Sequence, residues 1–173
     1  TGEGSDELYA GYSRYWATLF NLRWGKHYER FVPQWVREKA IRSLLWKWPL
    51  PLSIKKKMSH TFINHSVCPE EIIFDNFHAI FPARIHESLF SSDFYSRVKE
   101  ENPYQDVISI YESRSSKDAL DKLLYVDQKT YLLELLMKQD RMSMAASIES
   151  RVPFLDHKMV EFSTQVPSEM KLH

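Results

Sequence analysis

The chain opens T-G-E-G-S-D-E-L-Y-A-G-Y, residues Thr1 to Tyr12, which places two of its four glycines and three carboxylates within seven positions. Glycine lets backbone N–H groups approach a ligand, and a helix that follows offers unpaired donors and the positive end of its dipole. That combination suits a phosphate. Glu3 and Asp6 would repel one unless a divalent cation lies between them, or unless one carboxylate acts as a base on a nucleophile. Asp6 can ligate Mg²⁺, which takes one or two carboxylates together with phosphate oxygens and waters. Glu3 can accept a proton from an attacking amine in a site closed to water. The same five residues also read as an ordinary glycine loop with an N-cap, and on local pattern alone this plainer reading is favoured because short glycine motifs are common. No G-x-x-x-x-G-K-[ST] run supplies a Walker lysine.

A second constellation is D-R-M-S-M-A-A-S-I-E-S-R-V-P-F-L-D, Asp140 to Asp156. It strings Asp140, Arg141, Glu149, Arg151 and Asp156 among Met142, Met144, Phe154 and Leu155. Arginine suits bidentate contacts to carboxylate or phosphate. Charges interleaved with apolar residues read first as ion pairs at the margin of a core, with Met142 and Met144 as filling. The seven histidines are scattered, and His60 and His65 stand five apart. That misses the i, i+4 pair of a zinc helix, so no metal ligation by histidine is expected. A lone cysteine, Cys68, excludes an internal disulfide framework and a Cys-rich zinc site. It reads as a small half-buried hydrophobe before Pro69, in keeping with a reducing compartment. No nucleophile elbow is present.

The elements that would position these residues are helical. Four glycines and eight prolines in 173 residues leave few breakers. Leu8, Tyr12, Tyr15, Trp16, Leu19 and Phe20 form one stripe at helical spacing, with Ser5 placed as its N-cap and Asp6 and Glu7 in its first turn. A second helix is expected through Trp35, Val36, Ala40, Leu44 and Leu45, stopped by Pro49-Leu-Pro51. Lys55-Lys56-Lys57 reads as a solvated helix face. Pro69 opens another helix, with Glu70 and Glu71 in its first turn and Ile72, Ile73 and Phe77 as its apolar side. Arg84 to Phe90 reads as a short helix ahead of a turn or cap at Ser91-Ser92-Asp93. Residues Glu101 to Lys117 are the most polar part, with the best loop at Ser113 to Lys117. Leu120, Leu123, Leu124, Tyr131, Leu132, Leu135 and Leu136 predict one strong helix ending near Lys138. Leu155, Met159, Phe162 and Val166 predict another between Pro153 and Pro167. Ile148 to Phe154 is the best short strand candidate, and there is no internal repeat.

The totals set outer limits. The length fits one domain with a real core, and 43% apolar with 14% aromatic residues is a globular composition. Lys plus Arg and Asp plus Glu stand at 23 each, so the net charge is zero and gives no overall pull toward nucleic acid or an acidic membrane. No apolar run approaches the roughly 20 residues that span a bilayer. With no signal peptide at Thr1, a cytoplasmic location is expected.

The two constellations together are far more specific than either alone. The opening resembles the S-G-E-G-[SA]-D-E-x-[FY]-x-G-Y segment of the glutamine-hydrolysing asparagine synthetase family. The stretch Asp127 to His157 is similar to that family's D-x-x-x-Y-L … D-R-x-S-M-A … E-x-R-V-P-F-L-D-H signature, in the same order and approximate spacing. The resemblance covers essentially the whole chain, 1–173. It implies a mainly α fold, the helical C-terminal portion of an α/β adenine-nucleotide α-hydrolase-like (ATP-pyrophosphatase) synthetase domain. The implied reaction is adenylation of the aspartate side-chain carboxylate by ATP with Mg²⁺. Ammonia drawn from glutamine by a glutaminase domain of the same parent chain then displaces AMP. By the same resemblance Glu3 handles protons during ammonia attack, and Asp6 helps to hold Mg²⁺ and pyrophosphate. Gly2, Gly4 and Ser5 shape the nucleotide pocket, Arg141 lies near it, and Arg151 and Asp156 are architectural.

The family's S-G-G-x-D-S loop, its glutaminase domain and a lysine beyond the last signature are not in these 173 residues, and Thr1 stands where serine is usual. The chain is therefore expected to be a partial synthetase domain, inactive by itself. Uncovered apolar stripes are expected to favour association, a homo-oligomer included. The alternatives are another ATP-dependent amide-forming relative, acting on lactams, peptides or sugars, and a non-catalytic helical interaction module.

Overall fold

A computed structural model describes residues 2–33, 36 and 49–172. In chain order the α-helices are α1 (Ser5–Tyr9), α2 (Ser13–Phe31), α3 (Leu52–Ser59), α4 (His86–Leu89), α5 (Ser92–Val98), α6 (Gln105–Ser113), α7 (Ala119–Lys129), α8 (Tyr131–Ala145), α9 (His157–Gln165) and α10 (Ser168–Lys171). A π-helical segment runs over Pro69–Asp75, and 3₁₀ turns over Ala83–Ile85 and Pro153–Leu155. Among the described residues there is no strand. The mainly helical expectation holds. The helix expected through Trp35, Ala40, Leu44 and Leu45 lies outside the described residues apart from Val36, whose amide donates to the Pro33 carbonyl at 3.0 Å.

The chain divides into two compact units, one of residues Thr1–Trp16 with Asp106–His173, the other of Ala17–Gln105. The first unit carries both signature constellations. Its core is built on α7, where Leu120, Leu123, Leu124 and Val126 are all buried, together with Leu8 of α1 and Leu132 of α8. Asp118 caps α7 by accepting the Leu120 amide at 3.0 Å, as a side chain at that position should. Helix α1 packs on α7 and α9, and α7 packs on α8.

Four expectations are corrected here. The stripe from Leu8 to Phe20 is two helices, not one: Ala10 turns left-handed at φ 60°, and the chain re-enters helix only at Ser13. Gly4, at φ 92°, is the cap of α1, while Ser5 is its first helical residue and its hydroxyl donates to the Gly2 carbonyl at 3.0 Å. The long stripe from Leu120 to Leu136 is likewise cut, at Thr130. That residue leaves the helical region (φ −121°, ψ −75°) while its hydroxyl donates to the Val126 carbonyl at 2.8 Å. A β-branched residue with a competing hydroxyl is a natural breaking point. The strand candidate Ile148 to Phe154 forms no strand. Ser147 sits left-handed at φ 57°, the Ile148 amide reaches back to the Ser143 carbonyl at 2.9 Å, and Pro153 starts a 3₁₀ turn.

The polar stretch after Glu101 contains a helix that composition hid. In α6, Ile108 is buried on an otherwise wet segment, and the loop begins only at its end.

In the second unit, Pro69 opens the π-helical segment as expected, with Glu70 and Glu71 in its first turn. The wider turn buries Ile72, Ile73, Phe74 and Asp75 in succession, so Phe74 takes the core place expected of Phe77. Asn21, fully buried, accepts the Phe62 amide at 3.1 Å and donates to the His60 carbonyl at 2.8 Å. Ser91 caps α5 by accepting the Phe94 amide at 3.4 Å. Cys68 is half-buried, and burial pushes its thiol up from the ordinary value, which suits an inert side chain. No helix among the described residues is long and apolar enough to cross a membrane.

Candidate functional site

The opening loop is seated by its second glycine. Gly4 is buried, and its φ of 92° is a conformation L side chains rarely adopt. A Cβ there would collide with the Leu155 side chain, since Leu155 Cγ lies 2.7 Å from the place it would occupy. Leu155 belongs to R-V-P-F-L-D. The acidic loop and the distant proline motif therefore meet through a position only glycine fills well.

Around that anchor the candidate residues are graded in exposure. Gly2 is exposed with open space beside it, and Glu3, Ser5 and Asp6 are half-buried. The Asp6 Oδ1 occupies the space a Cβ on Gly11 would need, so this glycine too makes room, here for a carboxylate. Helix α1 has five residues, and its dipole is correspondingly small.

The donor set fits a metal that arrives with phosphate. Among the described residues, no three His, Cys, Asp or Glu side chains gather into a protein-built metal cage. Asp6 offers one partly exposed carboxylate, which is what Mg²⁺ uses when phosphate oxygens and water complete its shell. His60 Nδ1 bonds the Asn76 Oδ1 at 2.7 Å, and His65 Nε2 bonds the Ser59 carbonyl at 3.1 Å.

Beneath the loop lies a polar network that pattern reading missed. Glu7, only 1% exposed, accepts from the Tyr12 hydroxyl at 2.7 Å, and its carbonyl accepts from Gln128 Nε2 at 3.1 Å. Arg14 donates through Nη2 to the buried Asp127 carboxylate at 2.8 Å. The Tyr15 hydroxyl donates to the same carboxylate. The guanidinium of Arg14 stands 4.3 Å from the centre of the Tyr12 ring and 4.6 Å from that of Tyr131, within reach of attraction to both faces. Burial, followed by the Asp127 carboxylate, pushes the Tyr15 phenol well above its ordinary range; burial and the Glu7 bond do the same to Tyr12. The signal for this network was in the sequence. Asp127 and Tyr131 are two of the three fixed residues of D-x-x-x-Y-L, and Glu7 sits inside G-S-D-E.

The second constellation is placed differently. Arg141 is exposed on α8, on the same helical face as Leu133, Met137, Asp140 and Met144, which are also exposed. No hydrogen bond or ion pair among the described residues ties it to the opening loop. Met142 and Met144 are not core filling, being 75% and 59% exposed. Arg151 pairs with Glu149 at 2.8 Å, both mostly exposed, and Asp156 caps α9 by accepting the Lys158 amide at 3.0 Å.

The family model described as asparagine synthase matches residues 1–173. The chain belongs to the asparagine synthase family. It is 30% identical over 173 residues to asparagine synthetase [glutamine-hydrolyzing] 1 of Bacillus subtilis, covering 99% of this chain and 25% of that protein. A stretch of 52 residues is 48% identical to asparagine synthetase [glutamine-hydrolyzing] 3 of the same organism, covering 30% of this chain and 8% of that protein. A protein of Penicillium rubens named amidase chyE is 23% identical over 185 residues, 99% of this chain and 26% of its own length. The chain spans about a quarter of the length of the full-coverage relatives. No solved structure matches it significantly. Within this family, a mainly helical segment with both signature motifs in one unit is a helical portion of the synthetase domain.

Proposed function

We propose that this chain forms one wall of an ATP-dependent carbon–nitrogen ligase site that makes asparagine from aspartate. An aspartate side-chain oxygen attacks the α-phosphorus of ATP and pyrophosphate leaves. Ammonia, drawn from glutamine by a glutaminase domain of the parent polypeptide, then adds to the acyl carbon. The carbon–oxygen bond to AMP breaks and the amide remains. The added nitrogen must lose a proton for this, and Glu3 accepts it. Asp6 would lend a carboxylate to Mg²⁺, which would supply positive charge against the pyrophosphate. Gly2, Gly4 and Ser5 hold the loop open to the nucleotide, and Arg141 offers a cation toward its anionic parts.

The observation that supports this reading is the seating of the G-E-G-S-D loop against R-V-P-F-L-D at Gly4 and Leu155, which leaves Glu3 and Asp6 half-exposed on either side of a buried anchor. A solvated acidic tail would have no such seat. A second reading is another amide-forming ligase with a different acid; the match to the Penicillium rubens protein named amidase chyE shows that similar chains are not all named asparagine synthetase.

The test supplies the full-length protein with ATP, Mg²⁺, ammonia and a panel of carboxylic acids, and follows pyrophosphate and amide together. Aspartate should release both in equal amounts. Pyrophosphate appearing only with another acid selects the second reading, and none with any acid refutes both.

A further inference from the structure

Glu7 and Asp127 are carboxyl groups 1% and 2% exposed, and neither is among the residues proposed to meet substrate. Buried polar groups of this kind are costly unless fully engaged, so their partners show what they are for. Their contacts join them into one chain of interactions. Asp127 on α7 holds Arg14 at 2.8 Å and also receives the Tyr15 hydroxyl. Arg14 lies over the rings of Tyr12 and Tyr131, and Tyr12 donates its hydroxyl to Glu7 at 2.7 Å. Glu7 immediately follows Asp6 and lies four residues after Glu3.

We propose that Tyr12, Arg14 and Asp127 are positioning residues that lock the turn carrying Glu3 and Asp6 through the buried Glu7 carboxylate. This rests on the assignment of Glu3 and Asp6 given above. The physical need is specific. Helix α1 has only five residues and ends at Ala10, held left-handed at φ 60°. So short a helix is not stable on backbone hydrogen bonds alone. Strain of this kind persists only where surrounding contacts over-determine it. Helix α7, with its large buried face, is the rigid body to which the turn can be tied. Arg14 suits the link because a planar guanidinium can bond a carboxylate at its edge while its faces rest on aromatic rings.

Two measurements on the full-length protein test this, one independent of activity. The first is amide hydrogen exchange in wild type and Tyr12→Phe, which removes one hydroxyl and keeps the ring beneath Arg14. Exchange at Leu8 and Gly11, whose amides donate to Gly4 and Asp6 carbonyls, should quicken about tenfold, with α7 amides unchanged. The second is steady-state kinetics of Tyr12→Phe, Glu7→Gln and the double variant. Each single change should lower kcat about tenfold with KM for ATP and for the acid held, and the double should lose no more than the worse single. Arg14→Lys should be impaired like Arg14→Gln, since an ammonium keeps the charge but not the planar group that lies over both rings while it bonds Asp127. Unchanged exchange in α1, multiplying losses in the double variant, or full activity in Arg14→Lys would each overturn the inference. A parent inactive toward every acid would instead sink the functional assignment, leaving the exchange result to judge the lock.

Discussion

The two signature segments of this chain are held by opposite means. The opening turn rests on buried polar groups: Glu7 and Asp127 are almost wholly enclosed, and Arg14 is engaged at its edge and on its faces. The segment Asp140 to Asp156 stays near the surface, with Arg141, Met142, Met144 and Ile148 exposed and its Glu149–Arg151 pair in water. One segment is fixed by this chain's own packing. The other presents an apolar face of α8, with a charged pair set in it, that the rest of the unit does not cover. Motif residues thus divide into those that build a rigid turn and those displayed on an open helix.

Mutations sharpen that contrast. Asp127→Ala, which strands Arg14 in a buried place, should cost about 3–5 kcal/mol in urea unfolding. Gly4→Ala meets both a positive φ and the Leu155 side chain and should cost about 1–3 kcal/mol by the same measurement. Ser147→Gly should gain about 0.5–1 kcal/mol, because α8 ends there in a left-handed residue that has no need of a side chain. Arg151→Ala removes a mostly exposed pair with Glu149 and should change stability by less than about 0.5 kcal/mol. Equal losses at Asp127 and Arg151 would erase the contrast.

Alkaline pH probes the buried side alone. Tyr12 and Tyr15 have phenols raised above the ordinary value of about 10, so the unfolded chain releases these protons first. Their contribution to stability is complete below about pH 10 and is lost as pH rises beyond it. Phenolate absorbance should show these two tyrosines ionising late and together with unfolding. Tyr12→Phe should flatten part of that loss.

Much of this was legible in residue order. Helical content, the start at Pro69, the Ser91 cap and the half-buried Cys68 follow from local chemistry that tertiary packing did not override. The breaks at Ala10 and Thr130 did not show, because an apolar stripe runs on in register whether or not the backbone does. Helix α6 was masked by polar composition, its inward side resting chiefly on Ile108. Methionines 142 and 144 were misplaced because burial depends on what covers a helix, and periodicity says only which residues share a face. At the site, the loop residues were visible as a motif. The pairing of Arg14 with Asp127, 113 positions apart, was not, since no local spacing joins them.

The central claim is that Glu3 takes the proton of the incoming amine while the nucleotide is handled by other groups. Replacing Glu3 with Gln in the full-length protein separates the two half-reactions. The account predicts that aspartate-dependent exchange of pyrophosphate into ATP continues, while ammonia-dependent amide formation falls by about 100-fold or more. Amide formation at the parental rate would contradict it.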